Sequence, residues 1–308
     1  MQNSAPLVTK SPEISKNLQD TILEMDRKRS WMSDYRKEFG WTKLDIIDKF
    51  RRKNTGDVTA DAVRAKQLLN LEDDWYAKVS DLDHAFRFLK GKLEQAGILV
   101  MRNGIVGSNT HRSLDISEFR AFLLYDDLTP LIFINNNDSK AGKIFFLIHE
   151  YIHVLFEQED IFLDPYLGAA PTERQINLLT AEVLMPQGKV LTYWKVENDV
   201  FTQIERLSNM LKVSGLALAI KLRGLGLIDR EIVEKIRIEA IQQFETKSAK
   251  SDEVDFYKTY HSRMSTVFTE AVVRSAESGE IGYTEAFRLL GVKGKTYDNI
   301  KAEIMSYG

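Results

Sequence analysis

The chain contains no cysteine. That excludes disulfides, thiolate metal sites and a cysteine nucleophile. No apolar run approaches the length needed to span a bilayer. The first residues, Met1-Gln2-Asn3-Ser4-Ala5-Pro6, lack the apolar centre of a signal peptide. These absences fit a cytoplasmic location and no membrane partner. The net charge is only −3, so no global field draws the chain to nucleic acid or anionic lipid. Internal repeats and low-complexity stretches are missing as well. What remains is ordinary for a globular protein: 44% apolar and 28% charged residues. A length of 308 residues suffices for a substantial core divided between about two units.

Histidine is scarce, with five in the chain, yet two of them stand four residues apart. They lie in the run Phe145-Phe146-Leu147-Ile148-His149-Glu150-Tyr151-Ile152-His153. Residues four apart share a helix face, so His149 and His153 can turn both imidazoles toward one metal ion. Glu150 follows His149 directly and can reach a water at that ion. Two neutral nitrogen donors, an open position and a nearby general base are the parts of a zinc-type hydrolytic site. The competing reading is a core helix with two satisfied histidines. The remaining three, His84, His111 and His261, carry no motif and read as structural or surface residues.

A catalytic zinc usually keeps three protein ligands. Downstream carboxylates are Glu157, Glu159, Asp160, Asp164, Glu173 and Glu182. Glu157 lies a further turn along the same helix. Glu159, Asp160 and Asp164 fall in a polar stretch ending at Pro165. Glu173 is better placed, at the start of a second expected helix with Thr172 as its N-cap and an end near Met185-Pro186. Asn177, four residues on, shares the face of Glu173 and suits a supporting role beside the ligand. Glu182 falls about 180° round the same helix, so the two cannot both face the metal.

At these two segments the chain resembles the ImmA/IrrE-type metallopeptidases of bacteria, their phages and mobile elements. Those proteins pair His-Glu-x-x-His with a helix reading Glu-x-x-Ala-Asn-x-Phe-Ala-Ala-x-Leu-Leu-Met-Pro. Here Glu173, Asn177, Ala181, Leu184, Met185 and Pro186 match in register. Ile176, Leu179, Thr180 and Val183 depart, mostly by apolar exchange, and Ile152 stands where a small residue is usual. The resemblance covers about residues 60–230. It implies a zincin-like core with one Zn2+ per chain, His149, His153 and Glu173 as ligands and Glu150 as the catalytic base. It also implies a protein substrate, a helix-turn-helix repressor, whose cleavage would derepress stress or mobile-element genes. A non-hydrolytic module that binds a repressor or toxin, as an antitoxin does, is the alternative.

The expected fold is α+β and mostly helical, a metallopeptidase core with a small sheet and flanking helical regions. Four stretches are expected: an N-terminal helical extension (1–59), the core (60–190), a helix-turn-helix-like region (191–244) and a C-terminal helical tail (255–308). Strands are expected at Gly97–Val100, Ala121–Tyr125 and Pro130–Asn135. Leu131, Ile132, Phe133 and Ile134 are the expected substrate-binding strand, pairing with an extended peptide. Basic residues from Arg27 to Lys53 alternate with aromatics, but interspersed acids favour a solvated face over a nucleic-acid surface. Residues 201–228 have helix-turn-helix spacing; sparse basic residues favour a buttress over DNA contact. Glu245–Glu253 reads as a linker, and Tyr283–Val292 as a helix closed by Gly291. The sequence assigns no oligomeric state.

Overall fold

Phe122 and Leu123 are neighbours in the chain but belong to two different cores. Successive strand residues point to opposite faces of a sheet. Here both faces are apolar, so both must be covered. The computed structural model describes residues 14–158, 160–162, 171–195, 199–247 and 263–306, with 160–162, 171 and 243–247 given by their backbone alone.

The elements run α1 (Lys16–Glu38), α2 (Asp45–Arg51), α3 (Val58–Leu68), a 3-10 turn (Trp75–Lys78), α4 (Leu82–Gln95), β1 (Leu99–Asn103), β2 (Ile105–Val106), β3 (Asn109–Ser113), β4 (Ala121–Leu124) and β5 (Leu131–Asn135). After these come α5 (Lys140–Phe156), β6 (Asp160–Phe162), α6 (Pro171–Leu184), α7 (Gln187–Tyr193), α8 (Val200–Leu211), α9 (Gly215–Gly224) and α10 (Arg230–Lys247). The chain closes with α11 (Thr266–Glu277), α12 (Tyr283–Leu290) and α13 (Gly294–Ser306). The architecture is α+β and mostly helical, as expected. The main sheet has the order β1-β5-β4-β6. β1 and β5 are parallel; β4 runs antiparallel to both β5 and β6.

One face of the sheet presents Val100, Ala121, Leu123, Ile132 and Ile134 to a core shared with α2 to α10. The other presents Leu99, Met101, Phe122, Leu131 and Phe133 to a core shared with α1 and α11 to α13. Phe122 and Phe133 stack there at 4.9 Å, and Trp31 of α1 meets Phe268 of α11 edge-on at 5.7 Å. α1 and α11 to α13 thus form one layer on the back of the sheet. Lys90 of α4 donates to the Met264 carbonyl at 2.5 Å, which ties that layer to the front.

Several sequence expectations shift. The first strand starts two residues later than expected, because Gly97 adopts φ +93°, off the extended region. A Cβ at Gly97 would lie 2.7 Å from Leu44 Cδ2, so the close approach of α2 also requires glycine there. The helix beginning at Pro171 puts Thr172 inside the first turn instead of at the cap, since proline suits the first helical position. Residues 200–224 form the expected two helices, with Lys212 left-handed at φ 61° between them. Their inner face, including Ile204, Leu207, Leu211, Leu218 and Leu222, is fully part of the front core. In the basic segment Lys28 and Arg36 are buried and Arg29 binds Asp26 and Asp126, while Lys37, Lys49, Arg51, Arg52 and Lys53 are exposed. Gly291, at φ 67°, closes α12 as expected. Of the expected linker, Glu245–Lys247 still belong to α10, and the rest lies outside the described residues.

Candidate metal centre

The helix α5 starts where Ser139 accepts a hydrogen bond from the Gly142 amide at 3.0 Å. It is buried nearly all round, because the sheet lies on one side and α2, α4 and α6 on others. Two anchors fix its rotation. The Tyr151 hydroxyl donates to the Ala65 carbonyl of α3 at 2.9 Å. At its end Glu157 takes the left-handed conformation, φ 58°, and its carboxylate accepts from Lys43 at 2.6 Å. Glu157 is thereby held away from the histidines.

His149 and His153 sit one turn apart on the face toward α6. Their Nε2 atoms are 3.0 Å apart, and both residues are buried. Glu173, in the first turn of α6, places Oε1 3.2 Å from His153 Nε2 and Oε2 3.5 Å from His149 Nε2. The three donors lie within 4.8 Å of one another and could hold a metal ion. A tetrahedral ion with ligands at about 2.0–2.1 Å separates them by roughly 3.3–3.4 Å, so the observed triangle already has the right size.

The electrostatics fit the same use. Burial pulls His149 down to about 4, against opposing hydrogen bonds with Glu173 and Asn177. Its ring is therefore neutral at pH 7, as a metal ligand requires. Burial works to raise Glu173, but the two histidines beside it outweigh that and hold the carboxyl well below its ordinary range. Phe145 stacks on the His149 ring at 6.1 Å and Phe146 meets its edge at 6.3 Å. Glu150 is fully buried beside His149.

Asn177 lies one turn beyond Glu173, beside His149. Glu182 faces away: it accepts from the Gln187 amide at 2.9 Å and pairs with Lys221 of α9. This pair fastens α6, and with it Glu173, to the α8–α9 buttress. Sequence reasoning missed Lys221, although a buried glutamate on the far face of α6 calls for a cation.

Leu131, Ile132, Phe133 and Ile134 are not at the site. They form β5, the centre of the sheet, with β1 on one edge and β4 on the other. All four are buried, so neither edge nor face is left for a peptide. Glu159 and Asp164 lie outside the described residues, and Asp160 is described by its backbone alone.

A sheet-backed helix carrying two histidines, with a carboxylate brought in from a second helix, defines the zincin class of metallopeptidase core. Residues 93–223 match the peptidase family described as the IrrE N-terminal-like domain. The match is narrower than the 60–230 read from the sequence, and it supports the resemblance to the ImmA/IrrE-type family. Residues 264–303, which include α11 and α12 and most of α13, match a domain of unknown function. Comparison with curated proteins and comparison with solved structures gave no match.

Proposed function

We propose that this chain is a zinc-dependent endopeptidase acting on a protein substrate, with a helix-turn-helix repressor as the substrate class that the family resemblance implies. The observation that carries the reading is the triangle of His149 Nε2, His153 Nε2 and Glu173, already sized for a tetrahedral ion. A bound zinc would polarise the scissile carbonyl and bring the pKa of a water toward neutrality. Glu150 accepts the proton from the attacking water and passes it to the leaving amine. Asn177, on the same face of α6 as Glu173, stands beside His149 and supports the site from there. Burial of Glu150 keeps bulk water from competing for that proton.

An extended substrate needs a strand edge, and β5 has none. Among the described residues, β6 has β4 on one side only and follows α5 directly in the chain. We assign the peptide to that edge, by main-chain pairing. Cleavage of a repressor would release stress or mobile-element genes.

The test is cleavage of a helix-turn-helix repressor encoded beside this gene, using zinc-loaded wild type and Glu150→Gln. The variant is expected to retain zinc and lose about 10²–10⁴-fold in rate, the usual contribution of a general base. A Glu150→Gln protein that cleaves as fast as wild type would sink the mechanism.

A further inference from the structure

A cavity of about 630 Å³ lies away from the metal centre, where the C-terminal ends of α1, α3 and α4 meet the starts of α2 and α11. None of His149, Glu150, His153 and Glu173 lines it. Its size falls in the range of small-molecule sites.

Its charges are not balanced. Arg36 lines it and is 1% exposed. The Nη1 of Arg36 donates to the carbonyls of Gly97 and Leu128, each at 2.8 Å, and approaches Thr129 Oγ1 at 3.4 Å. These acceptors are neutral, and among the described residues Nε has no partner. Asp126 acts on Arg36 through space, but it is itself bound to Arg29 at 2.9 Å. Buried charges are normally paired. Lys92, a second cation of the wall, has its ammonium 5.6 Å from the Phe88 ring centroid and no ion pair among the described residues.

The other charges of the wall are already matched. Lys43 is shared by Glu157, Asp127 and Asp48. Glu94 accepts from the Thr266 amide at 3.1 Å and lies 3.8 Å from Lys90. Asp45 pairs with Lys49. The uncompensated positive charge is therefore that of Arg36 and Lys92.

Trp41 adds a flat surface. It is 50% exposed, an unusual position for indole, and the Arg36 guanidinium carbon lies 4.8 Å from its ring centroid. Leu69 and Ala96 contribute apolar wall. Cations beside a half-exposed aromatic ring in a partly apolar cavity suit an anion attached to a flat apolar body.

We infer that this cavity binds a small organic acid, its acid group met by Arg36 and Lys92 and its flat body laid against Trp41. The site is independent of the metal, so it stands or falls apart from the peptidase reading.

Binding is read by fluorescence anisotropy of 2-naphthoate on the full chain, with neutral 2-naphthamide as its uncharged counterpart and AMP as competitor. Saturable binding of 2-naphthoate is expected, at least about tenfold tighter than 2-naphthamide, the value of one charged contact. Lys92→Glu and Trp41→Ala, both at positions open to solvent, should weaken it by a similar factor, Ala96→Phe should block it, and His149→Ala should leave it unchanged. Competition by AMP would assign the site to phosphate-bearing acids; its failure, with naphthoate bound, would assign it to carboxylates. Equal affinity for naphthoate and naphthamide, no effect of either Lys92→Glu or Trp41→Ala, or no saturable binding of naphthoate and AMP would overturn the inference.

Discussion

The Nε2 atoms of His149 and His153 face each other at 3.0 Å inside a helix buried on nearly every side. Two such nitrogens cannot both carry a proton at that distance without repulsion. A cation between them resolves the conflict, because both rings then serve as neutral donors. The four-residue spacing brings them together, and Tyr151 and Glu157 hold the helix at the angle that aims them at Glu173.

The acid sensitivity of the metal-free protein follows from this arrangement. Burial lowers His149 from 6.5 to about 4. Between those values the unfolded chain binds more protons than the folded one, so stability falls as pH drops through that window and is complete above it. Urea midpoints of the metal-free protein at pH 7 and pH 4.5 should show this loss. A His149→Gln protein should lose less over the same range; an identical slope in both would remove His149 as the cause.

Tyr151→Phe should cost about 1 kcal/mol, the net worth of the hydroxyl bond to the Ala65 carbonyl. Zinc content should stay at the wild-type level, because packing still holds the helix. Urea denaturation measures the first and mass spectrometry the second. A variant of wild-type stability would show that the bond does not anchor α5.

Gly142→Ala should be destabilising by about 1–3 kcal/mol, although alanine favours helices, because the added carbon must displace a fixed group. A Cβ there would lie 2.5 Å from Asp138 Oδ2. Asp138 is 5% exposed and bound to Arg120 at 2.9 Å, so it cannot swing aside freely. Thermal melting reads the change; a gain in Tm would mean that the carboxylate relaxes.

Much of this was legible in the sequence, and the limits have physical causes. The metal helix and the Glu173 helix announce themselves through polar residues at fixed spacing within apolar runs. Opposition of Glu173 and Glu182 followed from helix geometry alone. The function given to Leu131–Ile134 did not hold, because an apolar run shows a strand and says nothing of its neighbours. A continuous run such as Leu131-Ile132-Phe133-Ile134 does carry the signal of a strand covered on both faces. That same signal called for a second layer, which α1 and α11 to α13 supply. Their joint packing is contact between distant segments, and local periodicity does not encode it. The cavity beside Arg36 was invisible for the same reason: its wall is drawn from five helix ends.

The central claim is the metal centre, and the most direct measurement is metal content by mass spectrometry on protein purified without added metal, beside His149→Ala. The account predicts about one zinc per wild-type chain, three protein donors being the usual catalytic complement, and none in the variant. A wild-type chain that holds no zinc even after reconstitution, or a His149→Ala chain that holds as much as wild type, would contradict it.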